Sequence, residues 1–247
     1  DVSRSSFIIT RHDINNDSAN ENGIKGGNAT SRYVSKTIIL DDGQEAEDLQ
    51  VFVDALIPQD SAIEVYGKFL AEEDDANFDN NLKWLELELV ETPKDNGRAQ
   101  TNFVEYNYKI PVKGSTPSLG SNSGVFEYDI YRVNGTASIT GGSGYTSPPT
   151  LTFSGGVADV QAEAYAVLSG GAINSVVITN PGRYTTTATP TITVSGGGGS
   201  SGAVTSNAPA LTTFKEFKRF AIKVVFKTGN TSNTPKIRNL RAIALQA

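Results

Sequence analysis

The chain has 247 residues, a formal charge of −6, 38% hydrophobic and 19% charged residues, 24 glycines, and neither cysteine nor methionine. That length holds one large or two modest domains. Lack of cysteine excludes disulfides, thiolate metal sites and a cysteine nucleophile, and the acidic balance argues against nucleic acid as a partner, because phosphate neutralisation needs a clustered basic surface.

No stretch approaches eighteen apolar residues, so no transmembrane span is expected. No basic-then-apolar leader follows Asp1, so no signal peptide is visible. The missing initiator methionine reads as the mark of a processed or excised piece of a longer product.

Residues 1–29 read as an extended N-terminal arm. Phe7-Ile8-Ile9 is a short strand candidate, and the polar stretch from His12 to Asn28 cannot bury enough apolar surface to fold alone. It is expected to lie along the domain or along a neighbouring subunit. From Arg32 to Tyr131 the dominant signal is period-two alternation. Ile63, Val65 and Phe69 share one face and Glu64, Tyr66 and Lys68 the other. Leu85, Leu87 and Leu89 alternate with Glu86 and Glu88, as do Phe126, Tyr128 and Ile130 with Glu127 and Asp129. Half-buried antiparallel strands need this pattern, since successive side chains point to opposite faces. Turn chemistry separates the runs at Asp42-Gly43, Pro58 to Ser61, Asn96-Gly97 and Gly114 to Pro117. A short helix is admitted only at Gln44 to Asp48 and at Asp74 to Phe78.

Between Asn134 and Leu211 the composition changes: 78 residues carry three charges (Asp159, Glu163, Arg183) and 14 of the glycines. A phrase repeats inside it. Gly144-Tyr145-Thr146 leads to Pro149-Thr150-Leu151-Thr152-Phe153-Ser154-Gly155-Gly156, and Gly182-Arg183-Tyr184-Thr185 leads to Pro190-Thr191-Ile192-Thr193-Val194-Ser195-Gly196-Gly197. Ala162 to Leu168 and Ile173 to Thr179 read as a hairpin across Ser169 to Ala172. Such periodic strands suit a repetitive β module that acts as a spacer or contact surface. Its small core is expected from Tyr145, Leu151, Phe153, Tyr165, Val167, Val176, Ile178, Tyr184, Ile192 and Val194, and it calls for support from the sandwich or another subunit. Beyond it, Phe220, Ile222, Val224 and Phe226 form one strand face and Ile237 to Leu245 a last strand. The economical reading is an all-β chain. An antiparallel, jelly-roll-like β-sandwich over 30–133 plus 212–247 is interrupted by a Gly/Thr/Ser-rich β-repeat module over 134–211, with the flanking strands near Tyr131 and Phe214 close in space. Insertion at a loop costs little, because closure entropy grows only logarithmically with length.

The residues that could carry chemistry do not converge. The single histidine, His12, lies in the polar arm, where nothing holds it to catalytic geometry. Asp13, Asn15 and Asp17 open like a calcium loop, but Ser18 stands where the sharp turn needs Gly and Ile24 where the bidentate Glu belongs. Glu72, Glu73, Asp74, Asp75 and Asp79 read as a solvated acidic loop. Glu64, Glu86, Glu88, Glu127 and Asp129 fall on polar strand faces, and nothing marks a pair for glycoside hydrolysis. Gly196 to Gly202 lacks the Lys-Ser/Thr of a phosphate loop and reads as a flexible tether. Trp84 and the tyrosines could form a sugar-stacking platform, although Trp84 is equally suited to an edge of the core. Asn28, Asn134 and Asn230 begin glycosylation sequons of the kind that arise freely in so Asn- and Thr-rich a chain. Lys215, Lys218, Arg219, Lys223 and Lys227 read as a solvated strand face beside acidic neighbours.

Three phrases together carry a resemblance: Arg32-Tyr33-Val34-Ser35-Lys36 running into Leu40 to Leu49, the stretch Pro58 through Ile63-Glu64-Val65-Tyr66-Gly67-Lys68, and the closing Pro235 to Leu245. The chain resembles a β-sandwich domain of large virion structural proteins of tailed phages, notably T4-like phages of marine cyanobacteria. The Gly-Ser-Gly-Tyr-Thr-Ser-Pro-Pro-Thr phrase resembles repeats of phage tail and fibre proteins. The resemblance implies a structural component of the virion, in tail, baseplate or fibre, whose partners are other virion proteins and copies of itself. A receptor- or glycan-binding module at a tail tip, touching host surface glycan, is the alternative. It implies no catalytic, cofactor-binding or metal residues, no enzymatic activity, no nucleic acid and no membrane.

Overall fold

A computed structural model describes residues 19–74, 76–90, 102–117, 124–229 and 234–246. Among these the chain is all-β, and its strands pair antiparallel. Seven strands come first: β1 (Arg32–Val34), β2 (Ile38–Ile39), β3 (Asp48–Leu56), β4 (Ser61–Leu70), β5 (Leu85–Glu86), β6 (Glu88–Leu89) and β7 (Val104–Lys109). Ten follow: β8 (Tyr128–Arg132), β9 (Thr136–Thr140), β10 (Thr150–Ser154), β11 (Ala158–Val160), β12 (Glu163–Ser169), β13 (Ala172–Asn180), β14 (Arg183–Tyr184), β15 (Thr191–Ser195), β16 (Ala203–Ser206) and β17 (Ala210–Phe214). The chain closes with β18 (Arg219–Thr228) and β19 (Lys236–Leu245).

Two compact units share these strands. One takes the chain up to Glu127 and again from Phe214, and the other runs Tyr128–Thr213. The second is wider than the Gly-rich stretch of 134–211, and hydrogen bonding explains why. β8 and β17 are neighbours in one sheet with β14 and β11, and Tyr131 pairs with Tyr184. Strands whose backbone groups are satisfied within a ladder belong to that ladder's unit, whatever their composition.

In the first unit, one sheet has the order β1-β18-β4-β5, with β2 also on β18, and the other has the order β19-β3-β7-β6. Alternation places Leu49, Val51, Val53 and Ala55 of β3 fully inside, with Val65, Phe69, Phe220, Ile222 and Val224 from the first sheet also buried. Phe217 centres an aromatic group, its ring 4.9 Å from Phe69, 5.2 Å from Phe126 and 5.7 Å from Phe220. Such edge-on contacts add roughly 0.5–1.5 kcal/mol each beyond burial. The Leu85-Leu87-Leu89 alternation, which reads as one strand, changes sheets. Leu85–Glu86 pairs with β4, Glu88–Leu89 pairs with β7, and buried Leu87 marks the corner, its amide donating to the carbonyl of Val65 at 2.8 Å. The stretch from Gln44 to Asp48, where a short helix is admissible, instead makes a β-bridge between Ala46 and Phe217. The described residues of Asp74 to Phe78 are not helical either. Asp74 Oδ1 accepts the amide of Ala76 at 3.1 Å, an alternative to a helical bond.

The face of β4 and β18 expected to meet solvent is also buried. Tyr66, Lys68, Leu70, Ala221, Lys223 and Val225 all lie inside. The segment 19–31 and the loop joining β4 to β5 contribute Ala29, Phe78, Leu82 and Trp84 to a second apolar cluster on that face. A sheet covered on both sides needs near-continuous hydrophobic strands, and the two lysines among them require a separate explanation.

The second unit is built from its repeat. The two phrases pair antiparallel at the centre, Leu151 opposite Val194 and Phe153 opposite Ile192. On either side the repeats exchange strands. β12, which ends the first repeat, pairs with β13, which begins the second, and β16, which ends the second, pairs with β9, which begins the first. The result is an intertwined pair of repeats related by pseudo-twofold symmetry. The tyrosines are exchanged as well. Tyr184 of the second repeat packs on Gly156 of the first, where a Cβ would fall 2.9 Å from its ring. Its hydroxyl accepts the Ala162 amide at 3.0 Å and donates to Gln161 at 3.2 Å. Tyr145 of the first repeat lies against the glycines of the second, and a Cβ on Gly199 would fall 2.5 Å from the ring. The run from Gly196 to Gly202, which reads as a flexible tether, is therefore a receptacle for an aromatic ring. Its amide and carbonyl groups are tied down too: Thr146 N donates to Gly197 O at 2.9 Å, and Ser143 and Ser200 form a bridge.

Gly199 has no positive φ to protect, so Gly199→Ala tests packing alone. Overpacking a buried ring predicts a loss of about 1–3 kcal/mol in the stability of this unit. Chemical denaturation would read it, and an unchanged midpoint would show that the ring has room.

Candidate functional site

The outer face of the β1-β18-β4-β5 sheet holds the densest polar arrangement in the described structure. Lys223 lies mid-strand on β18, opposite Val34 of β1 and Tyr66 of β4. Its ammonium donates to Glu21 O at 2.7 Å, Glu21 Oε2 at 2.8 Å and Gly26 O at 3.1 Å, which uses all three protons. Nζ also sits over the rings of Tyr66 (4.4 Å) and Trp84 (5.0 Å). The other carboxylate oxygen, Glu21 Oε1, accepts the Ala29 amide at 2.6 Å. Both side chains of the pair are shut off from solvent. Burial pushes the Lys223 pKa down, and Glu21 opposes it.

The segment that delivers Glu21 is tied at further points. Trp84 N donates to Asn22 O at 3.0 Å, Phe226 N donates to Ser31 O at 3.0 Å, and Arg32 Nη1 donates to Gly26 O at 2.6 Å. The latter part of the arm thus lies along its own domain.

Lys68 shares the Trp84 ring with Lys223. Its Nζ is 4.7 Å from the Trp84 centroid and 5.6 Å from that of Phe78. Although the residue is 5% exposed, its one hydrogen bond among the described residues is a long contact to Asp79 O at 3.4 Å. Burial lowers its pKa, the Asp79 carboxylate opposes that, and the charge of Lys223 adds a smaller downward push. Beside these groups lies a cavity of about 520 Å³, lined by Lys68, Lys223, Lys25, Arg32, Trp84, Asp79, Asn80 and three residues more. Trp84 is buried, 7% exposed, so it is a wall of the second apolar cluster and not an open stacking platform.

The remaining acids are dispersed or neutralised. Glu64 accepts from the Tyr66 hydroxyl at 2.8 Å and is ion-paired with Lys227. Glu86 stands opposite Tyr66 in register, its pKa raised by burial and then by Glu64. Glu127 pairs with Lys113 at 2.6 Å, and Asp129 accepts from Thr213 at 2.6 Å in the other unit. Glu88 is buried on β6. The pKa of Glu45 is held at about 2 by its own backbone amide and by Lys218, while the hydrogen bond Glu72 donates to Glu45 raises the pKa of Glu72. Lys218 also reaches Asp41 O at 2.9 Å and Asp42 at 3.0 Å. Lys218 and Lys223 are therefore interior cations, not members of a solvated basic face. Among the described residues no group of three or more His, Asp or Glu is placed to hold a metal ion. His12, Asp13, Asn15, Asp17, Asp75 and Asn230 lie outside the described residues.

Comparison of the chain with protein-family models, curated proteins and solved structures returns no match.

Removing one partner of a buried pair strands the other charge, at a cost of about 3–5 kcal/mol. Lys223→Met alone should lose that much. Combining it with Glu21→Gln, which retains an acceptor for Ala29 N, should recover most of the loss. A denaturant-based double-mutant cycle checks this, and strictly additive costs would show that the pair is not coupled.

Proposed function

We propose that this protein is a structural component of a tailed-phage virion, in the tail, baseplate or fibre region, and that it works by protein–protein assembly with copies of itself and with other virion proteins. The sequence phrases quoted above suggest the setting. The observation that carries the assembly role is an asymmetry in an otherwise pseudo-symmetric module. On the β12–β13 hairpin, outward positions hold Tyr165 (51% exposed), Val167 (36%) and Val177 (39%), with Tyr165 directly opposite Val177. The equivalent strand pair, β16–β9, turns Ser138 and Thr205 outward, hydrogen-bonded to each other at 2.7 Å, and pairs Ala203 with Thr140 beside them.

Two equivalent antiparallel strand pairs therefore differ in what they offer a neighbour. The polar one satisfies itself. The apolar one leaves a Tyr-Val-Val strip, Tyr165 and Val167 on β12 and Val177 on β13, the edge strand of the sheet, and such strips mark contact surfaces. Repeated copies in a symmetric particle are the natural setting for a self-complementary strip of this kind.

The triple variant Tyr165→Ser, Val167→Thr, Val177→Thr changes only outward side chains, so its thermal midpoint should stay within a few degrees of the parent. Light scattering should find the parent as a discrete oligomer, or bound to tail components when mixed with disrupted particles, and the variant as a monomer bound to neither. A parent that is monomeric and ignores virion proteins would sink the assembly reading.

A further inference from the structure

The Lys223 ammonium is saturated, and the Lys68 ammonium beside it is not. Lys68 is 95% shielded from solvent at the residue level, as its 5% exposure implies. It has three protons to donate and one long hydrogen bond to give them to. Aromatic faces at 4.7 and 5.6 Å stabilise a cation, but they leave its remaining donors free to point elsewhere. The same group lines a cavity of about 520 Å³ that also receives Lys25, Arg32 and Lys223.

The charge in this corner is unusual for a chain of −6. Among the described residues the acids that act on Lys68 and Lys223 are Asp79, which lines the cavity, Glu21, already bound by Lys223, and Glu64, which is ion-paired with Lys227. A buried ammonium near a second cation is destabilising unless an anion joins them. We propose that this cavity is a binding site for a small sugar acid, whose carboxylate is received by Lys68 with Arg32 and Lys25 around it, and whose hydroxyls meet Asp79 and Asn80.

Three features select that class. The volume falls within the 300–1,000 Å³ range usual for small-ligand pockets and far exceeds the needs of an inorganic ion. Asp79 in the lining repels a multiply charged phosphate yet accepts hydrogen bonds from hydroxyls. Apolar Ile24, Val34 and Trp84 in the wall suit the C–H faces of a sugar ring. Charge-assisted hydrogen bonds from an ammonium in a shielded site are among the stronger contacts available to a carboxylate. The site is independent of the assembly role, because every residue in it belongs to the first unit and the contact strip belongs to the second.

Trp84 is the chain's one tryptophan, and it lines the cavity, so its fluorescence reports occupancy directly. The whole chain is titrated with sodium glucuronate, glucose and inorganic phosphate at constant ionic strength, with calorimetry in parallel. Glucuronate should give a saturable change. Glucose should give none, and phosphate should bind at least tenfold more weakly. Lys68→Met removes the charge without stranding a partner, so it should fold normally and weaken glucuronate binding at least tenfold. Absence of saturation with glucuronate, equal binding of glucose, phosphate binding as tight as glucuronate, or unchanged affinity in K68M would each overturn the proposal.

Discussion

The interior ammonium of Lys223 constrains the whole first unit. It sits mid-strand on β18, between β1 and β4, at a position no water-facing side chain could occupy once the sheet is covered. An ion of that size cannot remain unpaired in so dry a place. Among the described residues the carboxylate bonded to it comes from residue 21, and two of its three hydrogen bonds go to backbone carbonyls of the same segment. A stretch too polar to fold by itself is thereby fixed in one conformation, and that segment in turn covers the second apolar cluster. Replacing such a pair by apolar groups can be as stable; what the pair adds is registry, because only one arrangement of 19–31 puts a carboxylate and two carbonyls around one ammonium.

The second unit reaches a defined structure by a different route, almost without charges. Its two repeats exchange strands at the flanks and tyrosines at the turns, so each buries what the other cannot. Gly156 and Gly199 are absent side chains in a literal sense: the space a Cβ would take is filled by Tyr184 and Tyr145. High glycine content, commonly a sign of flexibility, here permits close packing against aromatic rings. The exchange also explains how a small core suffices, since strand pairing and ring burial are shared across the whole unit.

Much of this architecture was legible in the alternation of side chains. The strand runs around Val65, Ile222 and Ile243, the hairpin across Gly170-Gly171 and the all-β class all follow from period two and turn chemistry. What escaped the pattern was whatever depended on partners distant in sequence. Leu85 to Leu89 alternates like one strand, and nothing local announces that it changes sheets at Leu87. Tyr66 and Lys68 occupy the face that alternation assigns to solvent, and residues 19–31 together with the loop joining β4 to β5 bury them. The polar arm and the lysine-bearing strands were each readable, but the link between Glu21 and Lys223 spans 202 positions. A faint signal existed. Lys68 and Lys223 stand where the neighbouring positions on the same strand faces, Tyr66, Leu70, Ala221 and Val225, are apolar or aromatic, a local inconsistency of the kind that marks a functional or paired site.

That inconsistency also alters what the net charge means. A total of −6 treats every lysine as a surface charge, yet Lys218, Lys223 and Lys68 are all interior. Lys218 and Lys223 each carry an acid inward with them, so those pairs cancel. Lys68 does not cancel in this way, and its charge is left facing a cavity. Asp74 and Glu88 are buried too, so the interior lysines leave the balance of the outer surface little changed, while one recess gathers four cations. An anion that enters this recess meets these cations, and low-dielectric walls strengthen that attraction relative to open water. A small anion is then favoured over a large polyanion by size, because only a ligand that fits inside the recess reaches the cations that line it.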